Sequence, residues 1–191
     1  MDTRAILVDA ALKVLEQDGE AQFSTRAICA IANVTAPTLY HHFGNVDGLL
    51  SAAIAEAFAK FLSSKKAAIQ SSDPELALRH GWDDYVRFAA ARPLLYAAMM
   101  SRILGGSDIP AAEQGFALLM QQITAIAAEG RLAVAVETAA DVAWASVNAA
   151  ALLHVTAKLR NAAQPDPAVI DALRDQAMQF IISPRAKGKR K

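Results

Sequence analysis

The chain has 191 residues, with 19 Lys and Arg against 19 Asp and Glu, seven prolines, nine glycines and one cysteine, which excludes a large multidomain enzyme and an internal disulfide. Hydrophobic residues make up 54% of the chain but aromatics only 6%, because 43 positions are alanine, the strongest helix former, and the expected class is all-α. The neutral total hides an asymmetry: Arg185, Lys187, Lys189, Arg190 and Lys191 crowd the end, and everything before them sums to about minus five. Residues 184–191 read as a basic, disordered, solvating tail with no site assigned to it. The longest uninterrupted apolar run is residues 94–100, far short of the roughly 18 that suggest a membrane span, so no membrane partner is expected. Residues 1–4 enter a periodic segment without a basic-then-apolar leader, which gives a cytoplasmic expectation.

From Thr3 to Asp18, Ile6, Leu7, Ala10, Ala11, Val14 and Leu15 recur at helical spacing on one face, and Gly19 stops the helix. Phe23 anchors the next connection. Ser24 is a fitting N-cap for a short second helix to about Ala32, with Ile28, Cys29 and Ala32 expected to be buried. Asn33 tolerates the left-handed conformation, so residues 32–35 read as a tight turn between helices. Thr35 opens a third helix as N-cap, with Pro37 in the first turn and Val34 placed to staple against Leu39. Leu39 and Phe43 form its buried stripe. Pro37 and His41 then lie opposite that stripe, flanked by Thr38 and Tyr40. Gly44-Asn45 breaks the chain, and a long helix follows over 47–69 through Leu49, Leu50, Ile54, Phe58 and Leu62.

Residues 71–74, Ser-Ser-Asp-Pro, combine an N-cap with proline at the first helical position and mark the boundary to a second region. Prolines 93, 110 and 165 mark further starts. Helices are expected at 74–90, 93–104, 110–128, 137–161 and 166–182, with Gly105-Gly106 and Gly130 as breaks. The 137–161 helix presents small residues (Ala139, Ala140, Ala143, Ser146, Ala150), the signature of a seam that another helix approaches closely.

A helix followed by two short helices joined by a tight turn, the last with a polar outward face, has the geometry of a helix-turn-helix DNA reader, although helical bundles that bind no DNA share the spacing. The residues add more. Phe23-Ser24-Thr25-Arg26-Ala27-Ile28, Asn33-Val34-Thr35 and Thr38-Leu39-Tyr40-His41-His42-Phe43 together resemble the headpiece of the tetracycline-repressor (TetR) family. The likeness runs back to Arg4-Ala5-Ile6-Leu7 and Ala10-Ala11 and forward to Asp47-Gly48-Leu49-Leu50, about a third of the chain. It implies an all-α regulator with an N-terminal three-helix helix-turn-helix DNA-binding domain (1–46, with 47–69 as linking helix). An all-helical ligand-binding and dimerisation domain (70–183) follows. The implied partners are a double-stranded, near-palindromic DNA operator, a small-molecule effector of unknown class, and a second copy of the chain held through the last two helices. Repression is the commoner mode of such proteins.

Thr35, Ala36, Pro37, Thr38 and His41 are the candidate base readers, with Ala36 and Pro37 suited to thymine methyls. Thr25, Arg26, Tyr40 and His42 are the candidate phosphate contacts. The resemblance departs at Asn33 (often Gly), at Val46 (often Lys), and in lacking a basic leader. Residues 1–50 hold only Arg4, Lys13 and Arg26 against six carboxylates, so phosphate binding is expected to lean on neutral donors and to depend weakly on salt. Cys29 is expected to be a small core hydrophobe rather than a reactive thiol.

In the second region Trp82, Tyr85, Phe88, Tyr96, Met99, Met100, Phe116, Met120, Trp144 and His154 are candidate effector-pocket residues, beside a plain-core reading of most of them. Asn148 and Arg102 are less constrained. No phosphate-cradling glycine loop, metal-ligand spacing or nucleophile set is present, so no enzyme, cofactor or metal is expected. The competing reading is a helical ligand-binding or protein-interaction dimer without specific DNA binding, which the acidic headpiece and Val46 favour.

Overall fold

The structure, a computed structural model, describes residues 2–68, 73–107 and 109–183. The basic tail and Ser71-Ser72 of the expected cap lie outside the described residues. Among the described residues the chain is helical without a named strand. Its helices are α1 (Thr3–Gln17), α2 (Thr25–Ala32), α3 (Ala36–Phe43), α4 (Val46–Ala68), α5 (Pro74–Ala91), α6 (Pro93–Leu104), α7 (Pro110–Ala128), α8 (Val136–Leu159) and α9 (Pro167–Ile181). Their ends fall within two residues of those read from proline starts, glycine stops and apolar periodicity. A single turn of 3-10 helix at Glu20–Gln22 adds to the elements expected from the sequence. It follows Gly19, whose φ of +78° few side chains adopt and whose absent Cβ would stand 3.0 Å from Leu94 Cδ2.

The chain divides into two compact units, residues 1–67 with 91–114, and residues 68–90 with 115–191. Grouping by contact thus takes 91–114 into the N-terminal unit, whereas a division along the chain at residue 70 leaves them in the second.

In the first unit α1 contributes Leu7, Val8, Ala10, Ala11 and Val14, which meet Ile28 of α2, Leu39 of α3, and Leu49 and Ala53 of α4. These side chains are at most 4% exposed. Each element supplies an apolar face at helical period and none could bury it alone. Phe23, Val34 and Phe43 seal the rim. Of the three α2 positions expected inside, only Ile28 is fully buried. Cys29 and Ala32 pack against the core half-exposed, because a two-turn helix laid on α1 turns only one position fully inward. α6 also packs on α1.

In the second unit α8 packs on α9 through small residues, with Ala139, Ala140, Ala143, Ala150 and Ala151 buried on α8 and Ala177 and Met178 on α9. The end of α9 is tied to the segment before α8: Ala133 N–H donates to Ile181 O at 2.9 Å and Ser183 N–H to Arg131 O at 2.8 Å. α5 faces α8 with two aromatic side chains whose polar tips are bonded there. Trp82 Nε1 donates to Ser146 Oγ (3.0 Å), which donates to Ala143 O (3.0 Å). Tyr85 OH donates to Asn148 Oδ1 (3.2 Å), and Asn148 Nδ2 donates to Trp144 O (2.8 Å). Arg174 on α9 bonds Asp83 at 3.0 Å and Asp175 at 3.1 Å. Alanine gives α8 the length and hydropathy of a membrane span, with a mean of 1.2 over 18 residues, although no uninterrupted apolar run approaches that length.

Candidate nucleic-acid interface

The turn between α2 and α3 is set by Asn33, which adopts φ 53°, ψ 48° and whose N–H bonds Cys29 O. Ser24 caps α2 as expected, its Oγ accepting from Ala27 N–H at 3.3 Å. Thr35 stands at the N-cap of α3, but its hydroxyl makes no cap bond and pairs instead with the Thr38 hydroxyl at 3.0 Å. That bond fixes the Thr38 rotamer and presents two hydroxyls side by side at the start of the helix.

With Leu39 buried, the opposite face of α3 is open. Thr35, Pro37, Tyr40, His41 and His42 are exposed, and Ala36 and Thr38 are half-buried. Tyr40 is 46% exposed, and its hydroxyl lies 3.4 Å from that of Thr25 at the start of α2. Arg26 follows Thr25 and is exposed. His41 and His42 stand edge to face, ring centres 5.3 Å apart. The structure therefore brings the nine candidate residues onto the starts of α2 and α3 and the outward face of α3. Small groups, two hydroxyls and an imidazole suit base edges, while Tyr40, Thr25 and Arg26 form a flank suited to phosphate.

Charge is distributed less simply than the sequence count suggests. Three of the six headpiece carboxylates meet cations from beyond residue 50. Asp9 lies 3.9 Å from Lys60, Glu16 lies 3.5 Å from Arg92, and Asp47 forms a two-pronged pair with Arg102 (Nη1 to Oδ2, 2.9 Å; Nη2 to Oδ1). Arg102's hydrogen bonds hold the Asp47 carboxyl below the usual carboxylate range. Arg4, Lys13 and Arg26 form no ion pair among the described residues. Arg4 instead lies over the Phe43 ring, 5.3 Å from its centre. The headpiece cations thus stay available to an anionic partner, a feature hidden in sequence because the compensating residues lie 51 to 76 positions away.

The ten candidate pocket residues are split. Tyr96, Met99 and Met100 belong to the first unit and the others to the second. Within the second unit Trp144 lies 6.2 Å from Tyr85 and 6.2 Å from Phe116 between ring centres, while Trp82 and Phe88 are buried and Met120 is half-buried. His154 Nδ1 is 3.2 Å from Gln164 Oε1, a local contact just past the helix end. A surface cleft of about 240 Å³ in the first unit is lined by Arg4, Val8, Ala55 and Glu56 among others, and by none of the ten.

A capped α2, a left-handed asparagine turn and an α3 seated by one buried leucine, with its polar side outward, define a helix-turn-helix DNA-binding domain. The family model described as bacterial regulatory proteins, tetR family, matches residues 7–53. Residues 7–53 thus carry the DNA-binding headpiece of TetR-family bacterial regulators. Among the chain's relatives is the HTH-type nicotine-responsive transcriptional repressor HdnoR of Paenarthrobacter nicotinovorans, 31% identical over 80 residues, which are 42% of this chain. That match spans only 41% of the relative's length. A structure from Rhodococcus sp. RHA1 superposes with TM-score 0.79 at 24% identity, over 95% of this chain and 96% of that one. FadR of Bacillus subtilis, solved with stearoyl-CoA, superposes with TM-score 0.70 at 17% identity, over 93% of this chain and 98% of that one. These structural likenesses show that the fold is shared over more than nine-tenths of the chain.

Proposed function

We propose that the protein is a homodimeric, ligand-responsive transcriptional repressor that binds a near-palindromic DNA operator in the cytoplasm. The observation that carries this reading is the outward face of α3, where Thr35, Ala36, Pro37, Thr38 and His41 read base edges. Thr25, Arg26, Tyr40 and His42 hold phosphates. Two copies related by a two-fold axis set two such helices into successive major grooves, which makes the operator palindromic. The copies join through α8 and α9, where Leu152, Leu159, Val169 and Phe180 are between 43% and 55% exposed and offer apolar surface for a partner.

The effector binds among the helices of the second region, where the Tyr85, Trp144 and Phe116 rings supply apolar surface. HdnoR is by name a nicotine-responsive repressor and FadR was solved with an acyl-CoA, so small-molecule control and repression are both represented among the relatives. Effector binding acts by favouring one of two headpiece arrangements, which requires unequal affinity for the two.

The test is selection of bound sequences from a random duplex pool by the purified protein, repeated with Tyr40→Ala and His41→Ala. A palindromic consensus that weakens in both variants supports the reading. Failure to enrich any sequence at low salt would instead favour a helical dimer that does not bind DNA specifically. A log–log salt slope near minus ten would contradict the limited phosphate clamp, since such a slope reflects about ten neutralised phosphates.

A further inference from the structure

We infer that Arg102, at the end of α6, acts as a charge mask for the DNA-facing end of the headpiece, cancelling Asp47 in the first turn of α4 and thereby making DNA affinity depend on where α6 sits. The inference rests on the DNA-binding function proposed above.

Its basis is geometric. α4 begins only two residues after α3, across Gly44 and Asn45. The Asp47 side chain is 66% exposed there, so its charge lies beside the reading helix and faces solvent. A bare carboxylate at that point repels a phosphate backbone. Arg102 meets it with both prongs of the guanidinium, the arrangement that couples direction with charge. Arg102 itself is only 14% exposed, because it reaches Asp47 from within the packed unit.

The contrast with the other headpiece pairs is informative. Lys60 and Arg92 approach Asp9 and Glu16 at 3.9 and 3.5 Å with both partners well exposed, the geometry of weak surface pairs. The Asp47–Arg102 pair is two-pronged and joins the first turn after α3 to a helix outside the headpiece. α6 ends just past Arg102, at Gly105 and Gly106, the latter at φ +75°. A shift of α6 by one or two ångströms therefore withdraws the guanidinium and unmasks Asp47 without any change inside the recognition helix.

A brace and a mask predict different signs. If the pair is only a brace, breaking it from either side harms DNA binding alike. If Arg102 masks Asp47, removing the arginine weakens binding and removing the aspartate does not.

The experiment measures anisotropy of a fluorescein-labelled duplex carrying the sequence enriched by the wild-type protein, with Arg102→Gln, Asp47→Asn and the double variant, all checked for native helicity. Arg102→Gln is expected to weaken binding about five- to tenfold at low salt, with the deficit shrinking as salt screens the exposed charge. Asp47→Asn should bind at least as tightly as wild type, and the double variant should return to within about twofold of it. Weakening by Asp47→Asn, or a double variant as weak as Arg102→Gln, would overturn the mask while leaving the DNA-binding function intact. If the wild type enriches no sequence, the functional reading and the mask fall together.

Discussion

Replacing Gly48 by alanine and Gly81 by alanine is the same chemical change in two helices, and the structure requires opposite outcomes. Alanine improves intrinsic helix propensity by about 1 kcal/mol at either site. At Gly81, within α5, a Cβ meets nothing within 4 Å, so that gain is realised and the variant should be about 0.5–1 kcal/mol more stable. At Gly48 the added carbon would stand 2.3 Å from Phe43 O, against backbone that no side-chain rotation can clear. The Gly48 N–H is also held by Asn45 Oδ1 at 2.7 Å, so α4 cannot back away without losing that bond. Overpacking of this kind costs about 1–3 kcal/mol, more than the propensity gain, and part of the strain falls on the end of α3. Urea unfolding followed by circular dichroism should move the midpoint up for Gly81→Ala and down for Gly48→Ala. DNA binding should fall only for Gly48→Ala. A Gly48→Ala protein as stable as Gly81→Ala would refute the packing argument at the α3–α4 corner.

Asn33→Ala places a β-carbon residue at φ 53° and should destabilise by about 1–2 kcal/mol, while Asn33→Gly should be near neutral, both read by thermal unfolding. The Asp175 carboxyl is held below the usual carboxylate range, chiefly by its hydrogen bond from Arg174 and then by Arg79. A depressed carboxylate stabilises the fold above the unfolded value of about 3.9 and loses that contribution as pH falls through its folded value. Asp175→Asn should therefore be less stable at neutral pH, by under about 1 kcal/mol because the group is half-exposed, and its stability should fall less steeply below pH ~4. Burial raises the Cys29 thiol, so at mildly alkaline pH it should react with a disulfide reagent more slowly in the native protein than in urea; equal rates would refute its protection by the core.

The fold was legible where the sequence punctuates itself. Pro93 and Gly105 bound α6, Pro110 and Gly130 bound α7, and Ser24, Asn33 and Thr35 mark the turn, because caps and breakers act within a few residues of where they stand. The outward face of α3 was legible for the same reason, since one helical period relates Leu39 to Pro37, Tyr40 and His41. Other features depend on competition or distance. Thr35 had two partners for one hydroxyl, the backbone N–H groups and Thr38, and propensity does not decide between them. The pairing of Asp47 with Arg102, 55 residues apart, and the grouping of 91–114 with the headpiece, follow from how helices stack, which periodicity does not encode. The candidate pocket residues stand out by composition alone, and composition carries no information about which unit each joins.

Alanine faces are smooth. A helix laid against the methyl groups of α8 has many nearly equivalent ways to slide and pivot, and little in that relief distinguishes one register from the next. Trp82 and Tyr85, one turn apart on α5, remove that ambiguity by each seating a polar tip on α8, at Ser146 and Asn148. A single pin fixes a point and leaves rotation free, whereas two pins fix a line. Each pin is itself anchored to a backbone carbonyl of α8, at Ala143 and Trp144, so the socket is as rigid as the helix. The two aromatics therefore work as the teeth of a key. Losing one should leave a folded protein whose helices explore more than one alignment, and losing both should blur the register of an otherwise intact seam.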